Sequence, residues 1–196
     1  ELALANLPEL DEMVSNESLE KIRLERLKTK DLSAFTRFAR LLSIHVSESR
    51  TLTSLDGMPT GLSALSFDYC KKLENIEALE SLMNLEIFLT MRAWHQSYLP
   101  EVIYQSKTMQ RLGITGSPLQ IDWERILSMP SIDYAALVND GLGPTDAELH
   151  LYAKKYGRKI LEIGRQGTKK MTVTWVELLE PPGLIHSTTK VPHALL

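Results

Sequence analysis

Three kinds of side chain in this sequence could do chemistry: one thiol, five imidazoles and a few closely spaced carboxylates. Cys70 is the single cysteine, so it has no partner for a disulfide or a CxxC pair. As a nucleophile it would need a base beside it and an electropositive, accessible setting. The imidazoles are His45, His95, His150, His186 and His193. None lies four residues from another and none accompanies a cysteine pair, which are the spacings that structural zinc requires. His186 and His193, close to the C-terminus, could hold a metal only weakly. The pairs Glu177/Glu180 and Asp11/Glu12 lack a neighbouring His or aromatic setting that would raise a carboxyl pKa, and solvated faces account for them. No phosphate-binding glycine loop, nucleophile elbow or HExxH spacing occurs. These residues predict no enzyme, no cofactor and no metal. A catalytic site would have to be assembled from His150, Tyr152 or the strands near the C-terminus.

Composition narrows the remaining classes. With 196 residues, 43% hydrophobic and 24% charged, the chain is long enough for a substantial core and unlike a disordered sequence. The net charge is −3 with both signs spread along the chain, so no basic stripe argues for nucleic acid. No apolar run approaches the length that spans a bilayer, and ELALANLPEL lacks the basic start and apolar stretch of a secretory signal. A lone cysteine needs no oxidising compartment. A cytoplasmic protein that does not engage membrane is expected. A first residue of Glu rather than Met points to a fragment, a processed product or a chain whose first residues are not shown.

The elements that position these residues follow from a repeat. Residues 62–70, LSALSFDYC, have the form L-x-x-L-x-L-x-x-C. The same frame recurs from Leu19 (LEKIRLERL), Leu41 (LLSIHVSES), Leu85 (LEIFLTMRA), Met109 (MQRLGITGS) and Ile132 (IDYAALVND), at steps of 22, 21, 23, 24 and 23 residues. Its second apolar place holds Ile22, Ile44, Leu65, Phe88, Leu112 and Ala135. Its third holds Leu24, Val46, Phe67, Thr90, Ile114 and Leu137. At these residues, across roughly positions 4–164, the sequence resembles the leucine-rich-repeat family, whose core motif is L-x-x-L-x-L-x-x-N/C-x-L. The resemblance implies an α/β solenoid, curved and right-handed, with a parallel sheet on the concave face and helices or 3-10 turns on the convex face. It also places Cys70 at the turn position after the strand, where a buried Cys is a usual occupant. The other occupants of that position are Leu27, Ser49, Ala93, Ser117 and Asp140, of which Leu27 and Ala93 cannot hydrogen-bond. A turn ladder broken in places is expected.

The period of two around the second and third apolar places predicts one short strand per unit, apolar on one side. Return segments carry apolar residues at threes, as in Leu73, Ile76, Leu79 and Leu82. Some read as helices: Asp31 caps Leu32–Ala39, Pro100 opens Glu101–Gln105, and Asp122 caps Trp123–Leu127. Residues 1–18 read as an N-terminal cap or the rear half of a unit, since Leu4, Leu7, Leu10 and Met13 repeat the return spacing with no strand before them. Six units fill 19–142. Residues 143–180 read as a helix opening at Gly143-Pro144-Thr145-Asp146 and stopping at Gly157, then a degenerate seventh unit at Ile160. After a Gly-containing turn the alternating MTVTWVELL follows, with Met171, Val173 and Trp175 on one side, and the hairpin so formed is expected to cap the open edge of the last unit. Residues 181–196 read as a tail.

The outward places of the sheet are the expected binding surface, because the resemblance makes the concave face the common site of partner contact. Between the two apolar places stand Arg23, His45, Ser66, Leu89, Gly113 and Ala136. After them stand Glu25, Ser47, Asp68, Met91, Thr115 and Val138, followed by Arg26, Glu48, Tyr69, Arg92, Gly116 and Asn139. A protein partner is expected to contact Arg23, Glu25, His45, Glu48, Asp68, Tyr69, Leu89, Met91, Arg92 and Trp94. The fourth unit supplies the apolar anchor and the first three supply orienting charge. Leu-Glu-Ile-Phe-Leu-Thr-Met satisfies two registers, however. In the second, Ile87, Leu89 and Met91 turn into the core and Phe88 and Thr90 face out. A noncatalytic binding module is the leading expectation, with an inhibitor or immunity-type protein sequestering a toxin as the analogy from family and size. A recognition fragment of a larger receptor or effector is the alternative.

Overall fold

The computed structural model describes residues 2–5, 18–168 and 171–179. It is an α/β structure with a mostly parallel, open sheet of nine strands. In chain order these are β1 (Leu2–Ala5), β2 (Lys21–Glu25), β3 (Ser43–Ser47), β4 (Ala64–Asp68), β5 (Ile87–Trp94), β6 (Arg111–Leu119), β7 (Tyr134–Asp140), β8 (Ile160–Thr168) and β9 (Met171–Leu178). β1 to β7 lie side by side in sequence order and are parallel, and the last two strands follow in the order β9, β8.

The pairing register follows the sequence frame. Ile22, Ile44, Leu65, Phe88, Leu112 and Ala135 form one continuous row across β2–β7, and Leu24, Val46, Phe67, Thr90, Ile114 and Leu137 form the next. All twelve are buried. Alternate side chains of a strand point to opposite faces, so one face of the sheet closes over the return segments and the other stays open. Register in the fourth unit is decided: Phe88 and Thr90 are buried, while Ile87, Leu89 and Met91 sit half-buried on the open face. The Phe88 ring fills core volume that neither Leu89 nor Met91 could reach without slipping the whole strand.

β2, β3 and β4 end in the same turn, and β5 makes it before its last two residues. Arg26, Glu48, Tyr69 and Arg92 adopt the left-handed conformation, with φ of 57°, 55°, 56° and 51°. The conformation costs an L-residue about 1–2 kcal/mol. It is held by inter-strand bonds: Arg26 N donates to Ser47 O at 2.8 Å, Glu48 N to Asp68 O at 2.8 Å and Tyr69 N to Met91 O at 2.7 Å. The turn directs the following residue inward, and Leu27, Ser49, Cys70 and Ala93 are all buried. Ser49 and Cys70 bond backbone there. Ser49 Oγ donates to Leu27 O at 2.7 Å, and the Cys70 thiol lies 3.7 Å from Val46 O. Leu27 and Ala93 occupy the same place by packing alone.

The return segments are less helical than the sequence suggests. The helix expected over Leu32–Ala39 is a 3-10 turn, Ser33–Phe35, with a second 3-10 turn at Glu77–Ser81. Asp31 Oδ1 does accept from Ser33 N at 3.0 Å. The segment is tied to an extended neighbour, however, by Leu32 N to Asp56 O and by Thr53 N and Ser54 N to Lys30 O, which leaves no room to propagate a helix. True helices appear later. They are α1 (Glu101–Gln105) after Pro100, α2 (Trp123–Ser128) capped by Asp122, and α3 (Asp146–Lys155) opened by a capping box between Thr145 and Glu148. Gly157, at φ 68°, ends α3.

Two expectations at the ends are corrected. Residues 2–5 are a strand paired in parallel with β2, Leu2 opposite Ile22 and Leu4 opposite Leu24, so Leu4 belongs to a strand and not to a return. Leu7, Leu10, Met13 and the tail 181–196 fall outside the described residues. At the other end Ile160 does not begin a seventh parallel unit beside β7. β9 takes that place, antiparallel to β7, and β8 pairs on its far side. The composition of the two strands explains the order. β9 alternates fully, with Thr172, Thr174, Val176 and Leu178 buried, whereas β8 buries only Ile160 and carries Gly164 and Gly167. An alternating strand suits an interior position, and a polar, glycine-bearing one suits an edge.

Candidate binding face

The open face carries a gradient of chemistry. One row across it runs Arg23, His45, Ser66, Leu89, Gly113, Ala136, Trp175 and Gly164, each paired with the next. The charged and polar members come from β2–β4, and the apolar ones from β5 onward. Where the row turns apolar, Leu89, Met91, Tyr134, Val173 and Trp175 wall a cleft of about 230 Å³ floored by Gly113 and Ala136. Asp68, Ser66, Thr115 and Gln166 supply its polar edge.

Two glycines let the walls lie flat. A Cβ on Gly113 would stand 2.8 Å from Leu89 Cδ2, and one on Gly164 would stand 2.0 Å from the Trp175 indole. The side chain of each neighbouring strand therefore leans over a position without one. Ala136 and Val138 are buried although they face the cleft side, outside the main core cluster. Both were expected to be exposed; the facing residues of β9, Trp175 and Val173, cover them.

At the polar end His45, Ser66 and Asp68 meet. His45 Nδ1 lies 3.0 Å from Ser66 Oγ, and His45 Nε2 lies 3.9 Å from Asp68 Oδ2. Burial, opposed by Asp68 and reinforced by Arg23, holds His45 below its ordinary imidazole range; burial likewise raises Asp68, with His45 and Arg23 pulling the other way. The residue types are those of a hydrolytic triad, but the geometry is not. At 3.9 Å the carboxylate does not hydrogen-bond the ring, and Ser66 lies mid-strand, where β4 pairs with both neighbours. Backbone amides committed to a sheet ladder cannot form an oxyanion site. The cluster can orient a polar group, and it offers no route to acyl transfer.

The other expected contact residues separate into groups. Leu89, Met91 and Asp68 line the cleft, and His45 and Arg23 stand beside it. At the strand ends Arg26 pairs with Glu25 at 3.2 Å and Glu48 at 3.1 Å. Beyond them the Arg92 guanidinium lies 5.4 Å from the centroid of the Tyr69 ring, which is 38% exposed. Trp94 is a correction. It is 1% exposed and packs edge-on against Phe88, centroids 5.7 Å apart. The register shift between Met91 and Trp94 turns two successive residues, Ala93 and Trp94, inward. Asn139 is likewise buried, accepting from Trp123 Nε1 at 2.8 Å and donating to Thr174 Oγ1 at 2.8 Å and Thr172 O at 3.1 Å.

The residues that sequence reasoning missed are Trp175, Val173, Tyr134 and Gln166. The alternation of MTVTWVELL placed Val173 and Trp175 on one side, but it could not say which strand they would flank. Cys70 is buried, and burial pushes its thiol up to about 11, a value that suits the turn position and not a nucleophile. Among the described residues no group of three or more His, Cys, Asp or Glu is placed to hold a metal, and no helix is long and apolar enough to cross a membrane. No protein-family model, curated protein or solved structure matches this chain.

Proposed function

We propose that this chain is a leucine-rich-repeat solenoid that binds a protein partner without catalysis, through the open face of its sheet. The observation that carries the reading is the cleft between Leu89, Met91 and Trp175. Its volume of about 230 Å³ falls below the ~300–1,000 Å³ of typical small-molecule sites and suits one anchoring side chain. Apolar and aromatic walls inside a polar rim are the usual makeup of an interaction hot spot. The solenoid reading is supported by two continuous rows of buried residues at steps of 21–24 residues, apolar at every place except Thr90, and by short turns and helices on the return side. Partner capture from the source cell is the test. The double variant Leu89→Asp/Trp175→Ala is expected to lose the partner, while Met83→Ala, at a 76% exposed position on a return segment, keeps it. Equal recovery by the folded double variant would remove this face from the binding surface.

A further inference from the structure

The fold gathers a basic groove that the linear order of charges conceals. Lys28, Arg50 and Lys71 each stand three residues past the end of their strand, β2, β3 and β4. Parallel strands are about 4.8 Å apart, so three equivalent places on adjacent strands stack the cations over roughly 10 Å. Together with Lys72 they line an open groove of about 1080 Å³ at the carboxyl ends of these strands, beside Arg26 and Glu48. Glu48, the single carboxylate lining it, is engaged with Arg26. Lys28, Arg50, Lys71 and Lys72 are exposed and have no ion-pair partner among the described residues. Among the described residues, four exposed cations against one engaged carboxylate give the groove a positive field that the net charge of −3 does not suggest.

We propose that this groove docks a short acidic segment of a protein partner, its carboxylates seated on Lys28, Arg50, Lys71 and Lys72. An extended peptide advances about 3.3 Å per residue, so a segment of roughly four residues spans the stack. The same geometry disfavours a polynucleotide. Nonspecific nucleic-acid binding draws on many phosphate contacts and on stacking platforms with a free face. Here the stack is short, Glu48 adds a negative charge, and Arg92 already lies over the Tyr69 ring. The groove is separate from the cleft and stands whether or not the cleft binds a partner.

The experiment is fluorescence anisotropy of a fluorescein-labelled hexaglutamate peptide with the full chain at low salt. A hexaglutamine peptide and an oligothymidylate of equal length serve as comparison probes. Saturable binding of hexaglutamate alone is expected, weakening as salt screens the charges. The Lys71→Glu/Lys72→Glu variant, folded by circular dichroism, is expected to bind about tenfold or more weakly, while Met83→Ala and the distant Lys154→Glu bind as the parent does. No binding of hexaglutamate, binding unchanged by the double reversal, or oligothymidylate bound at least as tightly would each overturn the proposal.

Discussion

Trp123 donates its indole N–H to Asn139 Oδ1 at 2.8 Å, and this one bond joins the return helix α2 to the last parallel strand. The same amide reaches the hairpin strand through Thr174 Oγ1 and Thr172 O. Asn139 is therefore the polar link between the repeat array and its C-terminal strands, with all of these partners buried. Leaving a buried donor or acceptor unsatisfied costs about 1–3 kcal/mol. Asn139→Ala is expected to lower unfolding free energy by about 2–3 kcal/mol, measured by urea denaturation. A loss below that of an average surface substitution would show that water replaces the amide.

Trp94 gives a second stability prediction. Truncating a buried tryptophan costs about 3–5 kcal/mol, so Trp94→Ala is expected to destabilise by that amount. Arg92→Ala, two residues earlier and exposed, should cost only about 0.5–1 kcal/mol through its contact with Tyr69. Comparable costs for the two variants would contradict the inward turn of β5.

The thiol of Cys70 should be silent in the folded protein. With its pKa raised to about 11 by burial, almost no thiolate exists at pH 8. Ellman's reagent is expected to react with Cys70 only at the rate of unfolding and to reach one equivalent in denaturant. Rapid stoichiometric reaction in native buffer would place the side chain at the surface.

Acid should weaken the face at His45. Its folded pKa lies below the ordinary value of 6.5, so in the window beneath 6.5 the unfolded chain binds a proton that the folded chain resists. Stability therefore falls as pH is lowered through that window. Asp68 runs the other way: its raised pKa gives a contribution present below 3.8 and lost as pH rises through its folded value. The urea midpoint of the parent is expected to drop between pH 7.5 and 5.5, and that of His45→Gln, which can still reach Ser66, to drop less. Parallel curves for the two proteins would assign the acid response elsewhere.

How far the sequence reaches can be judged residue by residue. The rows through Ile22 and Leu24, the cap at Asp122 and the start of α3 at Thr145 follow from local pattern, whereas the inward turn at Cys70 was implied by the family resemblance. Side-chain direction and capping depend on neighbours a few positions away. The registers open to β5 both matched its alternation, and only the volume available to Phe88 against adjacent strands chose between them. The shortened turn at Ser33 depended on the extended segment beside it. Trp94 was misplaced because a register shift does not show in apolar spacing.

The sequence by itself determined the period and the two rows of the frame, because both are set by alternation within a single unit; which side of β5 faces out was decided only by the strands beside it. Tertiary structure decided which distant residues share a surface. Inserting β9 between β7 and β8 brought Trp175 and Val173 to the cleft of Leu89 and Met91, a choice made by comparing how well two whole strands bury. Stacking β2, β3 and β4 in register turned Lys28, Arg50 and Lys71, separated in the chain by more than twenty residues each, into one basic groove. Linear charge is mixed; lateral pairing is what sorts it.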